Sequence, residues 1–378
     1  MALLDAVDLA RLRRRQSEKW RAYPDDVLPS FVAEMDFALA PAVRAALNEA
    51  VALDDCGYVH PEPVSEAFVE YAAHRWGLTL DPADVVPLPD VVTGLGWAVR
   101  LTTAPGDGVL ITPPVYPPFF SVVRQHERGL VEAPLSRGPD GAYALDLEAV
   151  ERGLRAGART VLLCSPHNPT GTVPSLEALQ ALAALAERSG ALVVSDEIWA
   201  PLTLPGAKHV PFASVGDGLS LMSASKAFNL AGLKCSVLFA HGPRGRAALS
   251  AMPVEARWST GHLGALATMA AWRSGAPWLA DLLETLDHNR RLFESLRAEH
   301  FPTVRWVPPE AGYLGWLDCT ALDLGPDPAR VFLERGRVAL GRGPTFGTPG
   351  QGFARINLGT SPALVVSLAE QMARALRP

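Results

Sequence analysis

Short, nearly continuous apolar runs alternate with helical patterns through the middle of the chain. The segment SLEALQALAALAERSG (175–190) has a leucine on every third position, a serine at its start and a glycine at its end, which predicts a helix. Five runs have the composition of strands buried on both faces, namely GVLITPP (108–114), TVLLCSP (160–166), ALVVSDE (191–197), LSLMSAS (219–225) and CSVLFAHG (235–242). Strands that alternate with helices predict an α/β fold with a mostly parallel sheet flanked by helices.

The pattern changes after about residue 275. A long amphipathic helix is predicted over roughly 277–299, antiparallel strands over 304–319, and a final helix from about 362. The length of 378 residues exceeds the size at which one hydrophobic core stops growing. We therefore predict a large domain of residues 40–275 and a smaller α+β domain that combines residues 1–39 with residues 276–378.

Polar side chains follow three of the predicted strands. Asn168 follows the strand predicted at 160–164, Asp196 closes the strand at 191–195, and Ser223, Ser225 and Lys226 come at the end of the strand at 219–222. Because ligands of parallel sheets bind at the carboxyl ends of the strands, these side chains predict one site. Lys226 lies among small and apolar residues, and desolvation there would lower the pKa of its amine and favour a Schiff base with a carbonyl group.

A lysine of this kind suits pyridoxal 5′-phosphate, and the other polar residues supply the partners that this coenzyme needs. Asp196 would keep the pyridine nitrogen protonated, Asn168 would donate to the ring oxygen, and Tyr116 would stack on the ring. The phosphate group would bind at a glycine turn that enters a helix, together with hydroxyls and a cation. The residues predicted for it are Gly94, Leu95, Ser223, Ser225 and Lys234. Arg355 would bind the α-carboxylate of an amino-acid substrate.

The motifs SPHNPTG, SDEIW, SASKAFNLAGLK and FARINLGTS, in this order, resemble those of the fold-type I pyridoxal-phosphate enzymes, the class I/II aminotransferase superfamily. The segments at 19–37, 56–63 and 338–361 are similar to the bacterial cysteine-S-conjugate and cystathionine β-lyase branch. The resemblance implies an aspartate-aminotransferase-like fold, with Lys226 as the Schiff-base lysine and proton-shuttling base. It also implies a homodimer with shared active sites, in which Tyr58 reaches the phosphate of the neighbouring subunit.

The branch motifs favour a carbon–sulfur β-lyase that acts on S-substituted cysteine or cystathionine and releases thiol, pyruvate and ammonia. Transamination of an α-amino acid uses the same residues and stays open as the alternative. One position departs from the family pattern. The third residue after Asp196 is usually tyrosine or histidine, but here it is Trp199, whose indole can donate a hydrogen bond yet cannot exchange a proton near neutral pH.

Net charge and composition argue against nucleic acid as a partner and against a location within a membrane. A formal net charge of −6 and a pI near 5.9 give no general attraction for nucleic acid, and no apolar stretch reaches membrane-spanning length. We expect a cytoplasmic protein without a DNA-binding domain. The four cysteines are widely spaced, and this spacing predicts neither a disulfide framework nor a metal site: Cys56, Cys164, Cys235 and Cys319.

Overall fold

The structure is a computed structural model, and it describes residue 4 and residues 7–377. Its strands are β1 (Leu28–Ser30), β2 (Val85–Leu88), β3 (Gly108–Ile111), β4 (Gly129–Glu132), β5 (Ser136–Arg137), β6 (Tyr143–Ala144), β7 (Ala158–Cys164), β8 (Leu192–Asp196), β9 (Gly218–Met222), β10 (Ser236–His241), β11 (Arg305–Trp306), β12 (Leu314–Asp318), β13 (Val338–Arg342) and β14 (Phe353–Asn357).

The α-helices are α1 (Leu9–Leu12), α2 (Glu18–Arg21), α3 (Pro41–Ala52), α4 (Glu62–Trp76), α5 (Val91–Thr102), α6 (Pro118–Gln125), α7 (Leu147–Arg155), α8 (Leu176–Arg188), α9 (Ala224–Ala227), α10 (Gly242–Ser250), α11 (His262–Ser274), α12 (Ala276–His300), α13 (Pro328–Gly336) and α14 (Pro362–Ala375). Across the described residues, none of these helices combines the length and apolar character that a membrane crossing requires.

The larger sheet has seven strands in the order β2-β10-β9-β8-β7-β3-β4. All neighbouring pairs from β9 to β4 are parallel, and β10 runs antiparallel to both of its neighbours. The five apolar runs identified in the sequence overlap β3, β7, β8, β9 and β10, and helices cover both faces of the sheet. The predicted α/β fold with a mostly parallel sheet is confirmed. Because β7, β8 and β9 are parallel, the residues that follow them meet at one edge.

A second sheet has five strands in the order β1-β13-β14-β12-β11, and all its pairs except β1 with β13 are antiparallel. The N-terminal strand β1 therefore pairs with a strand from the last 50 residues of the chain. Helix α12 packs on both parts, since Leu282 and Leu286 belong to the core of the larger sheet and Phe293 belongs to the core of the smaller one. The division into residues 40–275 and the two flanking segments stays a prediction.

Candidate active site

A cavity of about 490 Å³ lies at the carboxyl ends of the parallel strands. Of the residues predicted for the site, nine line this cavity: Tyr116, Asn168, Asp196, Trp199, Ser223, Ser225, Lys226, Lys234 and Arg355. Asp196 lies on β8, whereas Asn168 and Ser223 follow the adjacent strands β7 and β9. Arg355 comes from β14 of the smaller sheet. The volume suits a small-molecule ligand.

Lys226 lies on the short helix α9, which follows β9 directly. Its Nζ donates a hydrogen bond to the Ala33 carbonyl at 3.1 Å. Burial, together with the positive charge of Arg355, lowers the pKa of Lys226 to about 8. An amine with this pKa is partly unprotonated near neutral pH and can attack a carbonyl carbon.

Asp196 ends β8 and is 2% exposed. The Ile198 N–H donates to its Oδ1 at 3.1 Å. The pKa of Asp196 is raised to about 7, because desolvation and the neighbouring charge of Glu197 outweigh the opposing hydrogen bond from Ile198 and the positive charge of Lys226. A cationic group held against this carboxylate would lower the pKa again, so the site suits a ligand that carries a protonated nitrogen.

Arg355 lies on β14 of the smaller sheet and is buried. Its Nη1 donates to Asn168 Oδ1 at 3.0 Å and its Nη2 donates to the Phe31 carbonyl at 2.7 Å. Burial lowers the pKa of Arg355 to about 10, which leaves the guanidinium charged at neutral pH. Within the described part of the chain it forms no ion pair. A buried cation without an acidic partner is costly, and a ligand carboxylate would relieve that cost.

Besides Lys226, Asp196 and Arg355, a group of cavity residues surrounds the start of helix α5. The first N–H groups of that helix, at Val91 and Val92, have no acceptor within the helix and line the cavity. Lys234 also lines the cavity, and its backbone φ of 58° lies in the left-handed region, which residues other than glycine rarely adopt. The Ser223 hydroxyl caps α9 by accepting from the Ser225 N–H at 3.0 Å.

The position of Gly94 and Leu95 needs a correction. The sequence predicts a turn at Gly94, whereas α5 begins earlier, at Val91. The Gly94 N–H donates to the Asp90 carbonyl inside the helix at 3.0 Å, and Leu95 is fully buried in the core. Gly94 serves packing instead, because an added Cβ would lie 2.2 Å from the Leu221 side chain. Neither residue lines the cavity.

Aromatic residues form part of the cavity wall. Tyr116 lines it, and burial raises the pKa of its hydroxyl. Trp199 is buried and meets Tyr313 edge to face, with ring centroids 5.0 Å apart. Tyr58 is 89% exposed and is not part of the cavity in its own chain.

Three features in the cavity wall or packed behind it were not predicted from the sequence. The Ala33 carbonyl accepts from both Lys226 and Tyr313, and no sequence signal indicates the role of a backbone atom 193 residues from Lys226. Tyr313 itself lay in a predicted strand region and carried no motif. Asp90 could have been found, because an aspartate directly before an apolar helical segment is a recognised helix start.

These residues fit pyridoxal 5′-phosphate. A buried amine, a buried carboxylate and a buried unpaired guanidinium converge on one cavity, and they match an aldehyde carbon, a protonated ring nitrogen and a substrate carboxylate. Residues Val91, Val92 and Lys234 provide an anion-binding end.

Comparisons with known proteins agree with this fit. The family model described as "Aminotransferase class I and II" matches residues 32–372. Cystathionine beta-lyase PatB of Bacillus subtilis (strain 168) is 37% identical over 92% of this chain and 93% of its own length. The pyridoxal-phosphate-bound C–S lyase from Staphylococcus hominis superposes with a TM-score of 0.91 at 26% identity, covering 100% of this chain and 99% of its own. Cystalysin from Treponema denticola, whose structure contains a pyridoxal 5′-phosphate cofactor, superposes with a TM-score of 0.89 at 26% identity, covering 99% and 98%.

Proposed function

This chain belongs to the aminotransferase class I and II family and is a pyridoxal-phosphate-dependent carbon–sulfur β-lyase, and on that premise we propose that its substrates are S-substituted cysteines or cystathionine. With water, each substrate would give a thiol, pyruvate and ammonia. One observation carries the proposal: the Lys226 amine, the Asp196 carboxylate and the unpaired Arg355 guanidinium line a single cavity.

Lys226 would hold the coenzyme covalently and later move protons. When bound, pyridoxal phosphate supplies a cationic ring that withdraws electrons from the substrate α-carbon. Lys226 Nζ would take the α-proton, because its lowered pKa leaves a useful fraction of neutral amine near pH 7. The Ala33 carbonyl, 3.1 Å away, would orient this nitrogen when the lysine is free. Asp196 would hold a proton on the ring nitrogen by its negative charge.

Arg355 and Asn168 would place the substrate. A guanidinium binds a carboxylate through two parallel hydrogen bonds, which fixes the plane of the group. Asn168 Oδ1 accepts from Arg355, so the Asn168 Nδ2 remains as a donor for the oxygen on the ring. The same hydrogen bond would therefore set the substrate carboxylate and the coenzyme in a fixed relation.

The remaining cavity residues would bind the coenzyme. Val91, Val92, Ser223, Ser225 and Lys234 surround the end that suits a phosphate. Tyr116 would stack on the ring. Trp199 would contribute a non-titrating indole N–H beside the ring oxygen.

A homodimer with shared sites is also part of the proposal. Large apolar side chains are exposed in the segment after the middle of α3 and in the segment before α11, and these two helices pack on each other: Val51, Leu53, Tyr58, Val254 and Trp258. Exposed apolar side chains of this kind are typical of an interface between subunits. Tyr58 would cross this interface and donate to the phosphate in the partner. We place the protein in the cytoplasm.

The reaction is tested with purified holoenzyme and no added keto acid. We expect cystathionine and S-alkyl cysteines to release thiol and pyruvate in equal amounts. Alanine without an acceptor serves as the control and should release neither. If product forms only when a keto acid is added, and the amino group then appears on that acid, these compounds undergo transamination and the proposal that they are β-lyase substrates fails.

Shared sites are tested by mixing two inactive variants, Lys226→Ala and Tyr58→Ala. A mixed dimer contains one site with both native residues, so activity should return after subunit exchange. If mixed dimers form, as shown by differently tagged subunits, and no activity returns, Tyr58 does not serve the partner's site.

A further inference from the structure

An acidic residue, Asp90, lies at the end of the cavity that is proposed to bind the negatively charged phosphate. It is the N-cap residue of α5, and its Oδ1 accepts from the Thr93 N–H at 2.8 Å. Its Oδ2 accepts from Lys234 Nζ at 3.0 Å. Both residues line the same cavity as Lys226. The carboxylate therefore occupies the two kinds of donor that an anionic ligand would use at this end.

The Asp90 side chain is ionised at neutral pH. Burial alone would raise its pKa, but the hydrogen bonds from Thr93 and Lys234 outweigh burial and hold the pKa below its ordinary value. A phosphate monoester carries roughly −1.5 to −2 charge at pH 7. In the described cavity lining, Lys234 is the cation at this end, and Asp90 already balances its charge.

We propose that Asp90 is an internal competitor for the coenzyme phosphate, which shares Lys234 and the start of α5 with it and so makes coenzyme binding weaker and more readily reversible. The proposal rests on the proposed function. On coenzyme binding, Lys234 would turn from the Asp90 carboxylate towards the phosphate, and Asp90 would keep its cap on Thr93.

The test is the affinity of coenzyme-free Asp90→Asn protein, which keeps an N-cap acceptor and loses the charge. The dissociation constant for pyridoxal phosphate, followed by absorbance of the covalent adduct, should fall by about three- to tenfold. The affinity for pyridoxal, which lacks the phosphate, should stay unchanged. The gain in affinity for pyridoxal phosphate should shrink as the salt concentration is raised, because ions screen the repulsion between the Asp90 carboxylate and the phosphate.

Asp146→Asn is the matched control. Asp146 caps α7 with the same geometry, since its Oδ1 accepts from the Ala149 N–H at 2.8 Å, and it lies outside the cavity lining. This variant should bind both compounds as the native protein does. Asp90→Ser repeats the test with a second good cap.

Equal or weaker pyridoxal-phosphate affinity in Asp90→Asn would overturn the inference, as would an equal gain for pyridoxal. These outcomes differ from failure of the proposed function, in which the native protein and every variant would still form the covalent adduct but would release no thiol and pyruvate without an added keto acid.

Discussion

Arg355 Nη1 and Asn168 Oδ1 are joined by a hydrogen bond of 3.0 Å, although 187 residues separate them in the chain. Arg355 comes from the smaller sheet, and Asn168 follows β7 of the larger one. The bond therefore connects the two sheets at the cavity. Because this bond uses the Asn168 oxygen, the Asn168 amide nitrogen remains available to donate to another acceptor.

Arg355→Lys should lower kcat/KM by about 100-fold, because one ammonium cannot reproduce the two parallel bonds to a carboxylate. Steady-state kinetics with an S-alkyl cysteine measures this loss. Arg342→Lys is the control, since Arg342 ends the neighbouring strand β13, is exposed and pairs with Asp327. An equal loss for a substrate analogue without the α-carboxylate would show that Arg355 acts through something other than that group.

Coenzyme capture should depend on pH through Lys226. The pKa of this amine is lowered to about 8, mainly by burial, so the neutral form that attacks an aldehyde becomes dominant above that pH. The rate at which coenzyme-free protein forms its adduct with pyridoxal phosphate should rise with pH and level off slightly above pH 8. A rate that continues to rise towards pH 10.5, as for an ordinary lysine, would contradict the assigned environment.

Gly312 makes room for Trp199. An added Cβ would lie 2.8 Å from Trp199 Cε3, and the φ of +80° disfavours any side chain. Gly312→Ala should lower the free energy of unfolding by about 3 kcal/mol, measured with urea, from backbone strain and overpacking together.

Gly325→Ala is the control for backbone strain, because Gly325 has a φ of +75° and open space around its Cβ position. This variant should lose only about 1 kcal/mol. If the two variants lose the same amount, the contact with Trp199 has no energetic weight.

Much of the fold and many of the site residues could be predicted because their signals are local. The buried runs that became β7, β8 and β9 are visible as apolar stretches. Asp196 ends β8, and Asn168 and Lys226 lie a few residues after β7 and β9. Parallel pairing then brings those three residues together without any knowledge of distant contacts.

The features that could not be predicted depend on contacts between distant parts of the chain or on the exact residue at which a helix begins. The Ala33 carbonyl meets Lys226 only after the N-terminal segment folds back, so the sequence gives no sign of it. Gly94 was predicted to form a turn, but its lack of a side chain allows close packing against Leu221. The start of α5 was set by Asp90, three residues before Thr93. Helix ends are the least certain part of a pattern-based prediction, and this error moved the predicted anion-binding amides by one turn.

The most direct test of the account is to find which side chain holds the coenzyme. Holoenzyme is reduced with borohydride, digested, and the modified peptide is sequenced by mass spectrometry. We predict that the label lies on Lys226, that Lys226→Ala carries none, and that Lys234→Gln still carries it on Lys226. A label on Lys234 or on any other lysine, or an undiminished label in Lys226→Ala, would contradict the central claim.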